Sequence, residues 1–259
     1  MTSLDEIDAV FKARHDIVEA DFQYEIILNE MSLTYLLDFV KEVKSILDDE
    51  TKKSGQPLDK TMTINHILLV RGGLHQLYSA LFLTRRGHFD NAYSAIRTVM
   101  ETIWKLYMID VCEEEDANLL IKSELGTLTA AEETIVRNQW KYFSAAKLHG
   151  FLYEDRKFKQ FRKMYGAISK NSHPSIEGCM SEFELKKTVV EDLLMSIPLI
   201  VSGLIFLGLE VYYNKLSTSQ REYYEGKAKT IASMIYNLPN FSPDKSSVVG
   251  KLKYHQPTA

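Results

Sequence analysis

The chain holds 259 residues with a formal charge of −4 and a pI near 6.0. Apolar residues make up 45% and charged residues 25%, which excludes global disorder, and the acidic balance argues against a protein that coats nucleic acid by charge alone. With 6 Pro and 12 Gly, turn-dense all-β folds are disfavoured.

Cys112 and Cys179 stand far apart, so no CxxC redox motif, cysteine zinc site or disulfide framework is indicated. Buried free thiols are the simpler reading. Met1-Thr2-Ser3-Leu4-Asp5-Glu6 is acidic and carries no apolar run, so a cytoplasmic location is expected.

An apolar stripe through Ile7, Val10, Phe11 and Ile17, then Leu36, Leu37, Val40, Val43 and Leu47, predicts one long helix or two over residues 4–47. Residues 48–60 (DDETKKSGQPLDK) read as a polar loop broken by Gly55 and Pro57. A helix follows over 61–86 with Gly87 as its stop, and Asp90 or Asn91 can cap a third helix reaching Cys112. Glu113-Glu114-Glu115-Asp116 suits the N-terminal dipole of a short helix. More helices are expected over 129–148 and 155–170, the latter halted ahead of Pro174. After the long apolar run, Ser217 to Ser219 break the chain and a last helix ends near Asn237.

That apolar run, residues 193–209 (LLMSIPLIVSGLIFLGL), contains no charge. A bilayer-spanning helix wants about 20 apolar residues. This run falls just short, and Ser196, Pro198, Ser202, Gly203 and Gly208 dilute it, so a helix buried on all sides is preferred over a membrane span. Strand patterning is nearly absent. The expected fold is all-α, a single multi-helix bundle with one fully apolar central helix. Residues 1–50 form an N-terminal helical arm packed on the bundle of 59–237, and 238–259 form a loose tail.

Polar groups interrupt this pattern at a few points. At 100° per residue, Ile64, Leu68, Tyr78, Leu81 and Phe82 share one apolar face, and Arg71 and His75 fall inside it. Gly72 and Gly73 lie between them, where close packing would explain two glycines in a helix. Arg97 stands at the edge of the stripe of Tyr93, Ile96, Met100, Ile103 and Trp104, one turn before Glu101. One reading is a buried polar cluster that registers two helices; the other is an anion or phosphate site of Arg71, His75 and Arg97. Arg156 to Tyr165 (RKFKQFRKMY) mixes cations and aromatics as single-strand binders do, yet Phe158, Phe161, Tyr165 and Ile168 also fit one core face. His173, at the end of that segment, is a candidate general acid–base.

Several chemistries are excluded by pattern. HExxH, Glu-x-x-His, GxGxxG, GxxxxGK[ST] and GxSxG are all missing, so no metal site and no cofactor is expected.

Arg86-Gly87-His88, then Gly87-x(4)-Ala92-x(4)-Arg97-x(3)-Glu101, then Tyr165-x(3)-Ser169-x(3)-His173-Pro174, resemble a family of prokaryotic helical proteins of unknown function. The likeness spans about the middle half of the chain, and its outline is similar to HEPN-type helical domains. Many of those are metal-independent endoribonucleases acting as dimers, whose signature is Arg, four to six residues, then His. Here three residues separate Arg71 from His75, and ten separate Arg162 from His173. The resemblance implies a protein that binds or cleaves RNA without a metal. His173 or His75 would be the base, Arg71 and Arg97 the phosphate-holding cations and Glu101 the group orienting Arg97. Tyr165 and Ser169 would be accessory. The rival expectation is a non-catalytic helical interaction protein with a structural Arg97–Glu101 pair. A homodimer is expected because the stripes of Ile26, Ile27, Leu28 and residues 33–40 would otherwise lack a second layer.

Overall fold

In the computed structural model, which describes residues 4–55, 59–111, 113–139, 165, 166, 168 and 187–236, every regular element among those residues is helical. α1 (Leu4–Asp21) and α2 (Gln23–Ser54) are separated only by Phe22, whose backbone leaves the helical region at φ −125° and ψ 30°. α2 runs on through half of the stretch expected as a polar loop. Pairs one turn apart favour helix there, Lys44 with Asp48 at 2.5 Å and Lys52 with Asp49 at 3.8 Å, and Gly55 stops it at φ 65°.

α3 (Lys60–Ile67), a π-helical segment (Leu68–His75) and α4 (Gln76–Arg85) form one unbroken helical run. Asp59 caps it by accepting from the Thr61 N–H at 2.9 Å. Gly87, at φ 79°, ends it as expected, its N–H bonded to Thr84 and that of His88 to Leu83. α5 (Phe89–Val111) starts ahead of both cap candidates, so Asp90 and Asn91 lie inside the helix. Then come α6 (Glu114–Leu125), α7 (Ala130–Gln139), α8 (Lys187–Val211) and α9 (Thr218–Tyr236). Thr129 and Glu132 form a reciprocal cap before α7; the Lys122 ammonium, then the Thr129 N–H, hold the Glu132 carboxyl down at about 2. Cys112, Cys179 and the tail lie outside the described residues, as does most of 155–170.

α8 is the centre of the molecule, with α2, α4, α5 and α9 packed around it. It is long and apolar enough to cross a bilayer, but 72% of its most apolar window is buried against the rest of the chain. Pro198 lies inside it, where a missing N–H frees the Leu194 carbonyl. Asn29 of α2, fully buried, donates to that carbonyl at 2.7 Å. Ser202 bonds the Ala228 carbonyl of α9 at 3.0 Å, and Gly208 lets the Phe39 ring lie where a Cβ would stand 2.8 Å from its Cζ.

α2 belongs to this same core. Ile26, Leu28, Leu33, Leu36, Phe39 and Val40 are at most 5% exposed, while Ile27 is 63% exposed. The stripe on which the homodimer expectation rested is therefore covered from within the chain, because α8 supplies its second layer.

Candidate functional site

The polar groups inside the α3–π–α4 run are placed by a slip in helical phase. Each π turn takes in more residues than an α turn, so the 8-residue segment Leu68–His75 falls behind 100° per residue. Ile64 and Leu68 still point inward, but beyond the slip the buried positions are Leu77, Ala80, Leu81 and Thr84. Tyr78 and Phe82, expected on the apolar face, are instead 44% and 59% exposed. Arg71 and His75 are exposed too, so they do not sit in the buried face assigned to them. The two glycines have the packing role expected of them. A Cβ on Gly72 would lie 2.6 Å from Thr102 Cγ2 of α5, and one on Gly73 would lie 3.2 Å from Leu204 Cδ1 of α8.

The outcome is an exposed stripe of cations and rings. Ile67, Arg71, His75, Tyr78, Phe82 and Arg86 recur at intervals of four, four, three, four and four, and all are exposed. The Arg86 guanidinium lies over the Phe82 ring, 5.4 Å from its centroid. No Asp or Glu occurs between Asp59 and Asp90, so this face is positive in a chain that is acidic overall. Arg85, beside it, is already engaged: its Nε donates to Glu19 at 2.6 Å and its Nη1 to Glu30 at 2.8 Å. Among the described residues, neither Arg71 nor the His75 ring has an ion pair or side-chain hydrogen bond. They are free to meet a ligand, but His75 has no partner that would orient it as a base.

Arg97 and Glu101 do pair, Nε to Oε1 at 3.0 Å, and both are half-buried. Tyr165 returns from far along the chain to complete the cluster. Its hydroxyl donates to Glu101 Oε1 at 3.1 Å, its ring lies 5.8 Å from the Arg97 guanidinium carbon, and it packs on Trp104 at 4.4 Å. Burial works against the Arg97 charge, but the hydrogen bond it donates to Glu101 and the contact with Tyr165 outweigh it and hold the guanidinium protonated above its ordinary range. Burial, then the Glu101 carboxylate, pushes the Tyr165 phenol up. These groups neutralise one another, which is the chemistry of a lock between α5 and the segment around Tyr165.

Of the candidate residues, Arg97, Glu101 and Tyr165 are thus brought together, and Arg71 and His75 share the separate exposed stripe. No bond joins the two groups. His173, Ser169 and most of the basic–aromatic run 156–165 lie outside the described residues. Among the described residues no group of His, Cys, Asp or Glu is placed to hold a metal ion.

Sequence reasoning missed Tyr78, Phe82 and Arg86 as surface groups. The signal was present in the acid-free stretch and in the spacing of Arg71, His75, Tyr78, Phe82 and Arg86, which stays on one face whichever way that face turns. In comparisons with known proteins the chain matches no family model, no curated protein and no solved structure.

Proposed function

We propose that this chain is a helical protein that binds single-stranded RNA along the exposed face of the α3–π–α4 run, holding the strand without cutting it. The observation that carries the reading is the placement of Arg71, His75, Tyr78, Phe82 and Arg86 on one exposed stripe of an acid-free stretch. Single-strand binding combines cations that follow the phosphates with ring faces on which bases stack. Arg71 and Arg86 supply the first at the two ends of the stripe, and Tyr78 and Phe82 supply the second between them. No metal is needed for either contact.

Holding is favoured over cutting because the groups a metal-free ribonuclease would use are otherwise disposed. Arg97 is neutralised by Glu101, and the His75 ring lacks an orienting partner among the described residues. The likeness in outline to HEPN-type domains supports RNA as the ligand by analogy alone.

Fluorescence anisotropy with a labelled single-stranded RNA in EDTA tests the reading. Replacing Tyr78 and Phe82 together by Ala is expected to weaken binding at least about tenfold, since each stacked base is worth about 1–3 kcal/mol. The RNA stays full-length on a gel. Equal affinity for wild type and variant rejects the face. Cutting by wild type that a His75→Ala, His173→Ala protein lacks would replace holding by catalysis.

A further inference from the structure

α1 is attached to the bundle by few groups. Of its described side chains only Arg14 and Val18 are buried. Towards its N-terminal end, the Phe11 ring lies on the His88 imidazole with centroids 4.1 Å apart, at the turn between α4 and α5. Arg14 is 6% exposed, donates to the Gly87 carbonyl at 3.2 Å and lies 5.6 Å from the centroids of both Phe11 and Phe89. Gly87 must be glycine for this approach. Its φ is 79°, and a Cβ there would stand 2.6 Å from the Arg14 Cβ. Towards the C-terminal end, His15 Nδ1 meets the Arg85 carbonyl at 2.7 Å and Glu19 holds the Arg85 guanidinium. Phe22, the one non-helical residue before α2, separates α1 from the next helix.

We propose that α1 is a latch on the α4–α5 turn which protonation of His88 releases. Two guanidinium groups act on the charge of the imidazole, Arg14 from α1 and Arg86 from the turn. Burial, then Arg14, then Arg86, pushes its pKa below the ordinary 6.5. Other charged groups stand on the elements around it. Arg85 is occupied by Glu19 and Glu30, Asp8 and Lys12 on α1 are exposed, and Asp90 lies in the first turn of α5. A group whose pKa is lower docked than released favours docking above its free value and opposes it as pH falls through the docked value. Release of α1 removes Arg14 and its share of the burial, so the latch is shut at neutral pH and loosens in mild acid.

The ion pair that ties α1 to the turn does not open the latch in that range. The hydrogen bond from Arg85 holds the Glu19 carboxyl below the usual range, so their ion pair outlasts His88 as acid is added.

Hydrogen exchange of the full chain, corrected for intrinsic rates and compared at about pH 7.5 and about pH 5.5, tests this. Protection across α1 should fall about three- to tenfold at the lower pH while α8 keeps its protection. His88→Phe keeps a ring against Phe11 but takes no proton, so its α1 protection should not depend on pH. His88→Gln serves the same purpose if the Phe variant loses α8 protection. The latch is overturned by unchanged α1 protection in wild type, by a fall in α8 in step with α1, or by the same fall in the folded His88 variants.

Discussion

A single buried amide settles how Pro198 is accommodated. Without Asn29, the Leu194 carbonyl would stand in an apolar core with no donor, and an unmet buried acceptor costs about 1–3 kcal/mol. Asn29→Ala is expected to lower Tm by roughly 3–10 °C, at about 2–4 °C per kcal/mol for a chain of this order of size. Pro198→Ala restores the missing N–H within α8, so the same Asn29→Ala change should cost much less in that background. Thermal melts of the four proteins give the coupling; a cost independent of residue 198 would show that Asn29 acts through packing alone. Pro198 is plain in the sequence, but its partner lies 165 residues from Leu194, and no local pattern announces such a contact. The Arg97–Glu101 pair was legible for the opposite reason, because its partners are four residues apart on one helix.

At the scale of elements, small residues decide how close α8 comes to its neighbours. Gly208→Ala drives a methyl into the Phe39 ring and should cost about 1–3 kcal/mol. Gly226, inside α9, has nothing within 4 Å of a Cβ, so Gly226→Ala should stabilise by about 0.5–1 kcal/mol. Denaturant midpoints moving in these opposite directions would support the packing; a stabilising Gly208→Ala would contradict it. The helix stop at Gly87 and the acidic opening of α6 were readable from residue type, since each rests on local backbone chemistry. The orientation of Tyr78 and Phe82 was not. A constant 100° per residue carries no information about the π segment, which arises where Gly72 and Gly73 let α5 and α8 press in.

Over the whole molecule, charge and hydrophobicity are sorted in different ways. The apolar run that raised the question of a membrane became the axis of the bundle, as its dilution by Ser, Pro and Gly suggested. The net charge of −4 is compatible with the proposed RNA ligand because the proposed face is a strip and not the whole surface. That strip was partly visible, in Arg71 and His75, but composition averages over 259 residues and conceals one acid-free stretch. Ultraviolet crosslinking of the full chain to single-stranded RNA, followed by mass spectrometry of the peptides, addresses the central claim where it is most exposed. Crosslinked nucleotides are expected on peptides spanning residues 67–86, at Tyr78 and Phe82. Crosslinks confined to other segments, such as residues 156–165, or none at all, would contradict it.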